Sequence, residues 1–72
     1  MGKLKKKFGK RLQQLRISAG ITQEQLADGT GLTVESISNI ERGIFGPRFE
    51  TLEKLSGVLR IPVKELFDFG KD

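Results

Sequence analysis

Residues 22–42 read TQEQLADGTGLTVESISNIER, and the reading of this stretch decides the rest. It has the form of two short helices joined by a glycine turn. Thr22 and Thr33 each stand where an N-cap is wanted. A threonine hydroxyl there satisfies an orphan backbone N–H, worth about 1 kcal/mol. Thr22 and Gln25 also have the spacing of a capping box. Gly31 falls where the chain must turn, and glycine takes positive φ without strain. Ala27 is small enough to let the second helix approach, and Leu26, Leu32, Ile37 and Ile40 supply apolar contacts between the pair. On the second helix, expected over 34–42, Ile37 and Ile40 point one way while Val34, Glu35, Ser38, Asn39 and Arg42 cluster opposite. One face is therefore apolar, and the other is small, polar and ends in a cation.

Upstream, a helix is expected over 3–18, with Leu4, Phe8, Leu12 and Leu15 in one stripe and most lysines opposite. Gly9 should weaken its middle by about 1 kcal/mol, and Gly20 should end it. Gly29 inside the second helix should fray that helix's end. Downstream, residues 43–47 form a loop punctuated by glycine and proline. A fourth helix follows to Leu59, with Phe49, Leu52, Leu55 and Leu59 as its core stripe. Pro62 then opens a last short helix through Phe67. Ile44 and Phe45 are expected to cover the core under the loop rather than face a partner.

Composition narrows the class. The 72 residues should form one small all-α domain, with residues 1–7 a basic N-terminal segment and 68–72 a frayed tail. With no sensor or catalytic domain expected beside it, regulation would come from protein level, a partner or competition for sites. The chain contains no cysteine and no histidine, so disulfides and the common metal and imidazole chemistries have no residues to work with. No P-loop, dinucleotide glycine pattern or nucleophile–base arrangement occurs, so no enzyme, metal or cofactor is expected. No run approaches a membrane span or a secretory leader, and the chain begins Met-Gly but has Lys6 where a myristoylation signal needs Ser or Thr. A cytoplasmic location is expected.

The net charge of +4 is unevenly spread: residues 1–23 hold seven of the 13 Lys/Arg and none of the nine Asp/Glu. A basic end on a near-neutral body suits a polyanion, either nucleic acid or an acidic membrane surface, or is simply a solvated helix face.

Helix, glycine turn, helix is the pattern of a helix-turn-helix. The chain as a whole resembles the lambda-repressor/Cro type of that motif, often called the Xre family. The resemblance runs from about Phe8 to Phe67. It is carried by Phe8-Gly9, Leu12, Leu15-Arg16, Gly20 to Ala27, Gly31-Leu32-Thr33, Ile37-Ser38, Ile40 to Gly43, Pro47, Leu52, Leu55, Leu59 and Leu66-Phe67. It implies a compact five-helix all-α fold, binding to double-stranded DNA as a homodimer and regulation of transcription. The helix over 34–42 would be the recognition helix. Gln23 would sit near a phosphate at the start of the second helix. Thr33, Val34, Glu35, Ser38 and Asn39 would face DNA, and Arg42 with the loop through Arg48 would meet the backbone. The resemblance also pairs Arg16 with Glu41, tying the first helix to the recognition helix. Pro62, Lys64 and Phe67 become candidates for the dimer surface. The chain departs from the family pattern at Thr30 and Gly29, which should loosen the turn, and at Ile44 and Phe45, which replace polar loop residues.

Each site residue has a plainer alternative. Asn39 can pair with adenine N6 and N7, discriminating by about 1–3 kcal/mol, or be a phosphate ligand or solvated. Val34 can meet a thymine methyl; Glu35 can accept from cytosine N4 or merely complement its helix dipole. Arg42 and Arg48 suit phosphates. Three roles follow: a DNA-binding regulator, with repression the expected mode; an antitoxin-like protein-interaction module with secondary DNA binding; or an interfacial helix over 1–16 at a membrane surface. The first is expected, because the third would spend the core stripe of a small domain on lipid.

Overall fold

The capping threonines set where the helices begin. In the computed structural model, which describes residues 3–70, α1 spans Lys3–Ser18, α2 Gln23–Thr30, α3 Val34–Glu41 and α4 Phe49–Leu59. A 3-10 helix, Val63–Phe67, follows, and there is no strand among the described residues. The last of the five expected helices is thus a tight 3-10 turn. The Thr22 hydroxyl accepts from the Gln25 N–H at 3.0 Å, and the Gln25 amide oxygen accepts from the Thr22 N–H at 2.8 Å, completing the box. Thr33 accepts from the Ser36 N–H at 3.0 Å. Gly31 takes the left-handed conformation at φ 74°, and its N–H donates to the Ala27 carbonyl. α3 stops at Glu41, with Arg42 as its cap.

The core lies where the four α-helices and the 3-10 helix meet. It is built from Phe8 and Leu12 of α1, Leu26 and Ala27 of α2, Ile37 and Ile40 of α3, Leu52, Leu55 and Leu59 of α4, and Leu66. α1 and α2 both pack on α3, and α4 packs on α2. Arg11 ties the 3-10 helix to α1, its Nε donating to the Glu65 carbonyl at 2.9 Å and its Nη2 to the Glu65 carboxylate at 3.2 Å. The Phe67 ring sits 5.1 Å from Phe8 and 6.3 Å from Phe69. Beyond it, the Gly70 N–H reaches the Asp68 carboxylate at 3.2 Å. Residues 1–2 of the expected basic segment, with the Met-Gly start, and 71–72 of the expected tail lie outside the described residues.

Several expectations are corrected here. Phe49 is not core: it is the first residue of α4 and 85% exposed, because the apolar side of that helix starts at Leu52. Leu4 is 60% exposed, one turn short of where α1 meets the other helices. Ile44 and Phe45 cover the core only in part, being 50% and 44% exposed, with Phe45 in a groove beside Leu32 and Ile40. Gly29 does not fray α2, which runs on to Thr30. A Cβ at Gly29 would come within 2.9 Å of Val58 Cγ2, so the missing side chain allows α2 to lie against α4. Thr30 does not loosen the turn either. It is buried, with its hydroxyl donating to the Leu26 carbonyl at 2.8 Å and lying 3.2 Å from that of Ala27, so no polar group is left unsatisfied. Gly9 has a like role in α1, where a Cβ would collide with the carbonyl oxygens of Ile40 and Glu41.

Candidate nucleic-acid interface

α3 presents two faces, as a helix with apolar residues three apart must. Ile37 and Ile40 are buried, and so is Glu41, one turn beyond Ile37. On the other side Val34 is 41% exposed, Thr33, Glu35 and Arg42 are exposed, and Ser38 and Asn39 are half-buried. Among the described residues, the side chains of Val34, Glu35, Ser38, Asn39 and Arg42 make no hydrogen bond or ion pair within the protein. Their polar atoms are available to an outside ligand. Eight residues at 1.5 Å rise make α3 roughly 12 Å long, close to the width of a B-DNA major groove.

A buried polar cluster holds this helix in place. Arg16 Nε donates to the Glu41 carboxylate at 2.7 Å, and Arg16 Nη2 reaches its other oxygen at 3.3 Å. Arg16 Nη1 caps the Ile21 carbonyl at 2.9 Å, and Gln23 Nε2 donates to Glu41 at 3.0 Å. The Glu41 side chain is 2% exposed and that of Arg16 12%, so water screens the pair little. One carboxylate therefore joins α1, the start of α2 and the end of α3. A buried charge is tolerable only when paired and hydrogen-bonded, and both Glu41 oxygens are.

The structure brings most of the expected site residues together at one surface. Val34 shares a shallow cleft with Gln23, Glu24 and Thr22 at the start of α2. Arg48, the N-cap of α4, is exposed and lines a separate groove beside Ser36 and Phe45. The bond from Gln23 to Glu41 is not legible in the sequence: its amide faces Glu41 inside the protein, and one of its two Nε2 hydrogens is left to donate elsewhere. The position of α1's first turn was also unforeseen. Lys6 lies against Gly43, directly behind Arg42. No periodicity signals such a contact, because it joins residues far apart in the chain.

Comparison with known proteins places this geometry. A family model described as helix-turn-helix matches residues 12–66. The control protein C.BamHI of Bacillus amyloliquefaciens is 38% identical over 63 residues, covering 86% of this chain and 78% of its own. The cryptic phage CTXphi transcriptional repressor RstR of Vibrio cholerae is 32% identical over 59 residues, and the regulator PuuR of Escherichia coli is 39% identical over 59. This chain spans 53% of the length of RstR and 32% of that of PuuR. Among solved structures, the restriction-modification controller protein C.AhdI from Aeromonas hydrophila superimposes with a TM-score of 0.85 at 38% identity. The match covers 88% of this chain and 96% of that one. The clp gene regulator ClgR from Corynebacterium glutamicum shares the fold, with a TM-score of 0.88 at 24% identity. The chain belongs to the helix-turn-helix family, in its lambda-repressor/Cro-type branch.

Proposed function

We propose that this chain is a sequence-specific, double-stranded-DNA-binding transcriptional regulator that acts as a repressor in the cytoplasm. It would dock as a homodimer on an inverted repeat, with α3 in the major groove. The observation that carries this reading is the outward face of α3. Its polar side chains have no partner among the described residues, while a buried ion pair fixes the helix from behind. In this reading Asn39 reads a base, Val34 and Ser38 line the groove, and Glu35 either accepts from cytosine or complements its helix dipole. Gln23, Thr33, Arg42 and Arg48 hold phosphates, which position the protein without reading sequence. The two copies of α3 would enter successive major grooves about 34 Å apart. Pro62, Lys64 and Phe67, all exposed on or beside the 3-10 helix, would form the subunit contact.

The test is selection of bound duplexes from a random pool, followed by affinity measurements on the selected site. A two-fold symmetric site is expected, with Asn39→Ala relaxing the preference at one position per half-site and costing about 1–3 kcal/mol there. Uniform weakening on all sequences would make Asn39 a backbone ligand.

A second reading, an antitoxin-like protein-interaction module, is favoured by one observation: Ile44, Phe45 and Phe49 are all exposed around the loop before α4. A salt-resistant protein complex, together with failure to select any duplex, would decide for it.

A further inference from the structure

We infer that the first two turns of α1 form a second phosphate-binding element, in which Lys6 and Lys10 act with Arg42 on the DNA backbone that flanks the end of α3. The inference rests on the DNA-binding reading and extends it to a helix outside the helix-turn-helix pair.

Three observations carry it. The first is proximity. A Cβ on Gly43 would lie 2.8 Å from Lys6 Cγ and 2.9 Å from Lys6 Cα, so α1 begins against the residue that ends the recognition segment. Gly46 of the following loop lies beside Lys5, where a Cβ would be 3.7 Å from Lys5 Cγ. The second is charge. Lys6, Lys7, Lys10 and Arg42 line a single cleft of about 460 Å³ with Glu41. Glu41 is the only acid there among the described residues, and both of its oxygens are already bound to Arg16 and Gln23. Among the described residues, Lys6, Lys10 and Arg42 have no carboxylate partner in the cleft, which is therefore cationic. Lys6 and Lys10 are exposed, one helical turn apart on one side of α1. The third is a local rule broken. The first turn of α1 holds lysines and no acid, at the positive end of the helix dipole where cations are disfavoured. A placement unfavourable within the protein becomes favourable once an external anion occupies the cleft.

The position beside α3 suits DNA over other polyanions. A helix lying in the major groove has a backbone strand on either side of it. The Gln23 amide bonds Glu41 at the end of α3, and the lysine cleft is lined by the same Glu41, so both flank that end of the helix. The backbone at that end would thus meet cations and a donor fixed in helices rather than on a trailing arm.

The experiment compares the wild-type chain with Lys6→Gln/Lys10→Gln and with the charge-keeping Lys6→Arg/Lys10→Arg. Each is titrated with the selected duplex and an unrelated duplex across a range of salt concentrations. The glutamine pair should lower the slope of log K against log salt by about 1.8 per protomer if each lysine neutralises one phosphate. The loss should be equal on both duplexes, with the preference between them unchanged, and the arginine pair should restore the slope. Both lysines are exposed, glutamine is a good helix former and the dipole disfavours cations in the first turn, so the glutamine pair should melt no lower than the wild type. An unchanged slope in the glutamine pair, while the wild type still selects its site, overturns this inference and leaves the DNA reading standing. Failure of the wild type to bind any duplex overturns both. If the glutamine pair loses adhesion to vesicles of phosphatidylserine and phosphatidylcholine but keeps its DNA slope, the lysines serve a membrane surface, and the inference falls.

Discussion

At the scale of single residues, Glu41 matters most. Its carboxylate is the meeting point of Arg16 and Gln23, and it is nearly inaccessible to water. Breaking a buried pair by removing one partner leaves the other charge uncompensated, at a cost of about 3–5 kcal/mol. Glu41→Gln should therefore destabilise the protein by about 3 kcal/mol in urea titration. The double replacement Arg16→Met/Glu41→Leu should cost less than Glu41→Gln alone, since it removes both charges together. A Glu41→Gln variant within 0.5 kcal/mol of wild type would show that the cluster does not hold α3. The resemblance pointed to this pair from residues at the edges of two apolar stripes. It did not reveal Gln23 as the third member, because a helix-start glutamine reads the same whether it faces solvent or a buried carboxylate.

At the scale of elements, the boundaries follow from local chemistry. Each helix of the central pair starts after a threonine whose hydroxyl takes a backbone N–H, and α2 ends in a left-handed glycine. Thr33→Ala should lower stability by about 1 kcal/mol, and Thr33→Gly by only a few tenths, read from thermal melts. Equal effects from the two changes would mean that Thr33 stabilises by packing rather than capping. The same local logic misled at Gly9 and Gly29. Judged by helix propensity alone, each is a weak point. In the fold each sits where another element comes too close for a Cβ: α3's carbonyls at Gly9, Val58 at Gly29. Propensity is a property of one helix, whereas these glycines answer to the distance between two.

At the scale of the whole molecule, a small core leaves little reserve. A chain of 72 residues is stable by about 5 kcal/mol. Leu66 is fully buried although it belongs to the short 3-10 helix, and it closes the core between α1 and α4. Leu66→Ala should cost about 2–5 kcal/mol and leave the protein with roughly 0–3 kcal/mol of stability at room temperature. Phe49→Ala, deleting a larger side chain that faces solvent, should change stability by less than about 0.5 kcal/mol. Circular-dichroism melts of the pair check both at once. If Phe49→Ala proved the more damaging, α4 would pack by a face other than the one described here.

The sequence by itself determined the helix starts, the glycine turn, most of the apolar stripes and the polar make-up of the outward face of α3. These depend on side chains three or four residues apart, and that spacing is visible in one dimension. Only the tertiary structure decided that Phe49 and Leu4 stay outside, that Ile44 and Phe45 cover the core only in part, that Thr30 can be buried at no loss, and that the lysines of α1 stand beside Arg42. Periodicity says which residues share a side of a helix but not how far along that side the neighbouring helices reach. That limit is set by where the packed helices run out of one another, which no single segment encodes.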